Sequence, residues 1–366
     1  MEKAIMIVTN RYDPDVRVHK EAKYLRSKGF DVEVLCWDRE GEYINKSNEK
    51  IDGIVIRRFF PYAKYGTGIK QLIAYIKFII EIKKYLSKVE YSYLHCHDLD
   101  GIIAGFFLNK EKAKLIFDMH EFYEVLWKNQ KLRYIIRSIV SFFQNKSDAI
   151  IYVNEEQMKV TKQKYRLKSF YLPNYPDEEY FKDIKKSYSD SLRIAYIGAV
   201  RQSFELKNLM DACKDLKNVE VIIHGMGVAY KYLRSIEANY NNVKVTGTYS
   251  VFQIGELYRN TDILYVVYPM DTAQNRLAFP VKFYEAILTK TPVIVSKGSV
   301  IEEFVKEHNI GLSVDGNNTE DILKCINNIV KNRDILDLQT KNISKIQFWY
   351  TWNKVINHLD KIYNIG

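Results

Sequence analysis

Cysteine is scarce in this chain. Its four residues, Cys36, Cys96, Cys213 and Cys325, are scattered and form no C-x-x-C pair, which argues against a disulfide framework or a zinc site and fits a reducing cytosol. Long apolar runs are missing as well. The longest hydrophobic segments are interrupted by lysines, so no segment is expected to span a bilayer. The opening apolar run at 4–8 is too short for a signal peptide. No G-x-G-x-x-G follows that first strand-like run, which disfavours a dinucleotide dehydrogenase. Internal repeats and low-complexity tracts are absent from the sequence too.

What is present is a basic, tyrosine-rich chain long enough for two domains. With 366 residues, 47% hydrophobic and 27% charged, it has the make-up of a globular protein. The net charge of +10 should attract something anionic: nucleic acid, anionic lipid or a phosphorylated substrate. The 28 tyrosines, taken with the lysines, suit a protein resting on a membrane surface, and equally the output of an AT-rich genome.

Apolar runs at 4–8, 32–37, 54–59, 92–96, 114–118 and 149–153 read as strands, and 18–28, 69–88, 99–108 and 132–143 as helices. That alternation predicts a parallel sheet covered by helices. Two prolines and a charged stretch at 173–190 then read as a linker. A second alternation follows, with strands at 192–197, 219–224, 242–246, 262–267, 293–296 and 311–314, and a closing helix at 352–363. The expected architecture is α/β: two Rossmann-like domains facing a central cleft. The boundaries are 1–175 plus 347–366 and 190–346, joined by 176–189. Ligands in such sheets lie beyond the C-terminal ends of strands. The polar clusters at 10–17, His97-Asp98, 118–121, 198–201 and 224–227 fall just there.

The most informative stretch is Phe279-Pro280-Val281-Lys282-Phe283-Tyr284-Glu285-Ala286, followed by Pro292-Val293-Ile294-Val295. Proline suits a first helical position, and Lys282 and Glu285, three apart, share one face of the first turn. Free N–H groups there favour a phosphate. Lys282 could hold the phosphates of a nucleotide sugar and Glu285 its ribose, or the two could form a surface ion pair. Gly198 lets the backbone turn closely before Arg201, which could bind a diphosphate bidentately with Lys207 as a second cation; Lys207 could equally be a solvated helix residue. His224-Gly225-Met226-Gly227 suits backbone passing close to a base or ribose, or a plain turn. His120, after a strand in the first half, could touch a bound sugar or be a structural histidine. His95 and His97 are expected to point to opposite faces of a strand, so no metal site is predicted. Asp13-Pro14-Asp15 opens the first helix, with Arg17 and Glu21 spaced for an intrahelical pair; this could be helix chemistry alone or a wall of an acceptor pocket. In 69–88, Leu72, Tyr75, Ile76, Ile79 and Ile80 share a side flanked by lysines, and 131–146 repeats the mixture with Arg133, Arg137 and Phe142. Such basic amphipathic helices lie on anionic membranes or pack on their own domain.

Taken in order, these motifs resemble the GT-B glycosyltransferases, specifically the large retaining family 4, over nearly the whole chain. Asp15-Val16-Arg17 with Lys20-Glu21-Ala22 resembles that family's first loop and helix. Asp118-Met119-His120-Glu121 resembles its D-x-H-E element, and Leu172-Pro173-Asn174 its I-P-N. Pro280-Val281-Lys282-Phe283-Tyr284-Glu285 with Thr291-Pro292-Val293-Ile294 resembles P-N-K-x-x-E and G-x-P-V-I. The resemblance implies a retaining hexosyltransferase that uses a nucleoside diphosphate sugar, UDP favoured, without metal or cofactor. Donor binding falls to Gly198, Arg201, Lys207, His224, Gly225, Lys282 and Glu285. Catalysis falls to His120, Arg201 and Lys282, with Asp15 and Arg17 on the acceptor side. The final helix, with Trp349 and Trp352, would cross back to the first domain. Leu277 stands where many members carry a second glutamate, which leaves the donor sugar open. A GT-B nucleotide-sugar epimerase and a noncatalytic partner subunit are the alternatives. The expected acceptor is an envelope glycan or lipid-linked saccharide. The expected location is cytoplasmic, peripheral at the inner face of the plasma membrane on an anionic surface, with no nucleic acid partner.

Overall fold

The computed structural model describes residues 1–13, 15–64, 66–109, 113–127, 129–182 and 184–365. Pro14 of the helix opening, Asp183 of the expected linker and the terminal Gly366 lie outside the described residues. The chain divides into two compact units, Met1–Asn174 with Val355–Gly366, and Tyr175–Lys354.

The first unit carries an eight-stranded sheet: β1 (Lys3–Val8), β2 (Asp31–Trp37), β3 (Asn48–Ile51), β4 (Ile54–Phe59), β5 (Tyr93–His97), β6 (Lys114–Met119), β7 (Ala149–Tyr152) and β8 (Ser169–Tyr171). The order is β3-β4-β2-β1-β5-β6-β7-β8, and every pairing is parallel except β3 with β4. Central strands such as β5 and β7 are buried at every position, which is why they read as unbroken apolar runs. Helices α1 (Val16–Ser27), α2 (Ile69–Leu86), α3 (Asp98–Leu108) and α4 (Gln130–Lys146) follow β1, β4, β5 and β6. The core is aromatic at one end: Trp37 stacks on Phe78 of α2 at 5.5 Å, and its indole N–H donates to the Pro61 carbonyl.

Two differences from the sequence reading have simple causes. β3 was not expected, because its polar residues gave no apolar run. Asp52 and Gly53, both at positive φ, close it onto β4 in a two-residue hairpin of the kind Asp-Gly favours. The expected closing helix is broken into Trp352–Val355 and His358–Tyr363. The latter packs on the first unit, where Tyr24 donates to Asp360 and Tyr93 to the Tyr363 carbonyl.

The second unit has six parallel strands: β9 (Leu192–Ile197), β10 (Val219–His224), β11 (Val243–Gly247), β12 (Ile263–Val266), β13 (Val293–Ser296) and β14 (Gly311–Val314). Their order is β11-β10-β9-β12-β13-β14. Strand order reverses between β1 and β5 in the first sheet, and between β9 and β12 in the second. Crevices open at the carboxyl ends of strands at such points.

Candidate active site

The reversal in the second sheet gathers most of the predicted residues. β9 ends at Ile197, and Gly198 turns the chain at φ 130, where other residues are strained. Its N–H donates to the His224 carbonyl at 3.0 Å, so the loops after β9 and β10 run side by side. They approach so closely that a Cβ on Gly225 would lie 1.9 Å from the Gly198 carbonyl oxygen. A Cβ on Gly198 would meet Lys282 Nζ at 2.9 Å, so the ammonium fills the space over that glycine.

Lys282 belongs to the helix Val281–Leu288, with Pro280 at the cap position and not at the first helical residue as its sequence suggested. The side chain is only 8% exposed. Nζ lies 3.5 Å from the centre of the Tyr196 ring and 5.8 Å from that of Tyr268, and among the described residues no hydrogen-bond acceptor reaches it. Burial drives its pKa down to about 7; Glu285 opposes this and the charge of Arg201 adds to it. An ammonium stripped of water and held over aromatic faces, without an acceptor, is a site for an incoming anion.

Glu285 is positioned by Tyr258, which is fully buried. Its hydroxyl donates to Glu285 at 2.9 Å and lies 3.1 Å from the Lys282 carbonyl. The Tyr249 phenol is raised first by burial and then by the Glu285 charge. Arg201 is exposed at the mouth of the β9 loop. Lys207 pairs with Asp211 on its own helix at 2.5 Å. The His224 imidazole turns to the Thr246 hydroxyl at 2.8 Å. Burial and Lys244 push it down to about 4, so it is neutral at physiological pH. The structure therefore brings together Gly198, Gly225, Arg201, Lys282 and Glu285, while Lys207 is committed to its helix. The tyrosines at 196, 249, 258 and 268 were not anticipated. Tyr268 follows β12 at the reversal and could have been found by the strand-end rule. Tyr196, inside a strand, carried no signal.

The first unit holds a second constellation. Asp15 caps α1, accepting the backbone N–H groups of Arg17 and Val18. Arg17 is buried and fully engaged: Nε and Nη2 donate to the two oxygens of Asp118 at 3.0 Å, Nη1 donates to the Leu172 carbonyl at 2.9 Å, and Nε lies 3.1 Å from Glu21. Burial dominates Glu21 and lifts its carboxyl above the usual carboxylate range, against the opposing charge of Arg17. His95 and His97 do not point to opposite faces. Their rings stack at 4.4 Å, because residues two apart on a strand share a face, a period the expectation misapplied. With Glu21 and Asp118 they present ligand atoms within 4.8 Å of one another. Arg17, bridging both acids, already supplies the positive charge a metal would bring. Burial keeps both histidines below their ordinary pKa.

His120 differs. Nδ1 lies 3.2 Å from Asp98 and Nε2 lies 3.3 Å from Asp118, and Nε2 also faces His97 Nδ1 at 3.1 Å. Burial opposes its charge, but the two carboxylates outweigh burial and raise its pKa well above that of free histidine. The two carboxylates thus favour its charged form, in which both ring nitrogens donate. Asp98 opens α3 at φ 64 and is itself held by the Tyr123 hydroxyl at 2.8 Å.

Known proteins match along the same lines. A model described as "Glycosyltransferase Family 4" matches residues 15–177, and one described as "Glycosyl transferases group 1" matches 177–346. An uncharacterized glycosyltransferase of Methanocaldococcus jannaschii is 22% identical, over 96% of this chain and 95% of its own length. Among solved structures, the sucrose-phosphate synthase of Thermosynechococcus elongatus superposes with a TM-score of 0.79 at 14% identity, covering 100% of this chain and 98% of that one. HepE of Anabaena, solved in complex with UDP and glucose, does so with a TM-score of 0.71 at 13% identity, covering 100% of both chains.

Proposed function

The chain belongs to the family 4, group 1 glycosyltransferases, and from that premise we propose that it is a retaining hexosyltransferase. Its donor is a nucleoside diphosphate sugar, and its acceptor is a hydroxyl on an envelope glycan or lipid-linked saccharide. The observation that carries this reading is the desolvated amine of Lys282, 3.5 Å over Tyr196 and without an acceptor among the described residues. In this reading the donor's diphosphate completes it. Lys282 and Arg201 stabilise the negative charge that grows on the leaving diphosphate, so no metal is required. Gly198 makes room for the Lys282 ammonium, and Gly225 lets the loops after β9 and β10 run close together. Glu285, fixed by Tyr258, accepts the ribose hydroxyls. UDP is the favoured nucleotide, a choice supported by HepE, which was solved with UDP and glucose.

His120 is the first unit's contribution. A histidine whose charged form is favoured is poorly placed to take the acceptor proton, so in this reading the leaving phosphate takes it, and His120 serves as a donor to a sugar oxygen. Asp15 lines the acceptor side; Arg17 acts there through the Asp118 that it holds. Leu277 leaves the choice of hexose to other groups. The protein works at the cytoplasmic face of a membrane, without a nucleic acid partner.

A thermal-shift panel of UDP, GDP, ADP and dTDP sugars identifies the base. Titration calorimetry then tests the site: Lys282→Ala and Arg201→Ala should each weaken donor binding by about 1.5–3 kcal/mol, the contribution of a charge-assisted hydrogen bond. Unchanged affinity in both variants would refute the assignment.

A further inference from the structure

We propose that α2, α3 and α4 of the first unit form a continuous face that docks on an anionic lipid bilayer. The inference stands apart from the nucleotide site and uses none of its residues. α2 meets its packing duty with Ala74, Phe78, Ile82 and Leu86, all buried. Yet Ile69, Leu72, Ile73, Ile76 and Ile80 are between 48% and 76% exposed. Their spacing of three, four, seven and eleven from Ile69 draws them into one stripe along the helix. The helix is thus apolar on two sides, and one of them faces solvent. Tyr75 and Ile79, which the sequence groups on one side with Leu72, Ile76 and Ile80, are partly buried against the core.

Exposed apolar side chains stand on the neighbouring helices as well. α3 packs against both α2 and α4 and carries Phe107, 60% exposed. Phe106 meets Phe107 and Phe142 of α4 edge-on, both at 5.5 Å, which links the aromatic side chains of α3 and α4. Leu132, Tyr134 and Ile135 add exposed apolar side chains on the first turns of α4, with Trp127 just before it. Contiguous apolar surface of this kind marks an interaction site.

Charge selects the partner. α2 and α4 together carry eight basic side chains and one acidic one, Glu81. Lys70, Lys77 and Lys84, seven apart, form a row beside the stripe, and Lys131, Arg133 and Arg137 are exposed on α4. A second copy of this face would bring like charges together. An anionic headgroup layer over a hydrocarbon interior matches both features at once, with the lysine stems lying along the apolar surface and their ammoniums at the phosphates. Among the described residues no helix is long and apolar enough to cross a membrane, so the contact is interfacial.

The test is co-sedimentation of the full chain with vesicles of phosphatidylcholine alone or mixed with phosphatidylglycerol. Binding should appear on the anionic vesicles, weaken at least tenfold on the neutral ones, and fall with added salt. The triple variant Lys70→Glu, Lys77→Glu, Lys84→Glu should lose about a hundredfold or more, each charge near the surface being worth roughly fivefold. Ile76→Ser with Ile80→Ser should weaken binding without altering salt dependence. All these positions are exposed, and circular dichroism together with donor binding confirms that the variants fold. No binding, equal binding to both vesicle types, or an unaffected triple variant would overturn the proposal. So would a dimer in analytical ultracentrifugation that dissociates on Ile76→Ser.

Discussion

Replacing Lys282 with methionine keeps the stem and removes the charge, and the structure predicts opposite effects on stability and binding. Burial lowers the Lys282 pKa from 10.5 to about 7. At 1.36 kcal/mol per unit, holding the ammonium in the folded protein costs about 5 kcal/mol. Its contact with the Tyr196 ring at 3.5 Å offsets about 2 kcal/mol of that. Lys282→Met should therefore stabilise the unliganded second unit by about 3 kcal/mol at pH 6. The sign of the pH dependence follows from the folded pKa lying below the unfolded one. Between about 7 and 10.5 the unfolded chain binds a proton that the folded chain does not, so wild-type stability rises with pH across that window. The variant's advantage is full below pH 7 and should vanish by about pH 10.5. Urea denaturation of both proteins at pH 6 and pH 10, followed by far-UV circular dichroism, measures it. Calorimetry on the same samples should show donor affinity reduced by about 1.5–3 kcal/mol. A variant less stable than wild type at pH 6, or an advantage that does not shrink toward pH 10, would refute the account of Lys282 as a strained, unfilled anion site.

Three further outcomes are expected. UDP-glucose, whose diphosphate does not titrate near neutrality, should bind more weakly as pH rises above 7, levelling off at the roughly ten- to a hundredfold loss that removing the Lys282 charge brings, with proton uptake detectable by calorimetry in two buffers; affinity flat from pH 6 to 9 would contradict this. Gly225→Ala should destabilise the second unit by about 2 kcal/mol or more, because its φ of 124 and a Cβ 1.9 Å from the Gly198 carbonyl oxygen both oppose a side chain; a melting temperature equal to wild type would be inconsistent with that packing. Asp98→Asn should lower the His120 pKa, read from its ring-proton shifts by NMR; in the wild type the raised pKa contributes stability that is complete below about 6.5 and lost as pH rises through the folded value, and the variant should lose it at lower pH.

The fold was legible where burial is two-sided. β5, β7 and β9 are buried throughout and announce themselves as apolar runs. Strand-end logic then placed Gly198, His224 and His120 near the right points of the two sheets. The rest was hidden for physical reasons. β3 alternates between exposed and half-buried residues and has no apolar signature; only the Asp-Gly pair at 52–53 pointed to it. The helix Asp334–Ile346 has few fully buried residues and was missed. The Lys282 and Glu285 pair was visible at a spacing of three, but the phenols that fix it come from β9, the loop after β12 and the helix Ile254–Arg259, and no local pattern links them. Arg17 and Asp118 sit 101 positions apart; that buried contact belongs to topology and not to sequence.

The short hairpin strand β3 has a consequence for the life of the protein in a crowded solution. A parallel sheet left open at β4 would offer a row of unpaired amides to any passing extended chain. β3 closes that row with Asn48-Glu49-Lys50-Ile51, four residues carrying two charges of opposite sign, and at the other margin β8 is only three residues long. Both borders are therefore poor templates for fibril growth, and unpicking the turn at Gly53 should expose one of them and favour aggregation.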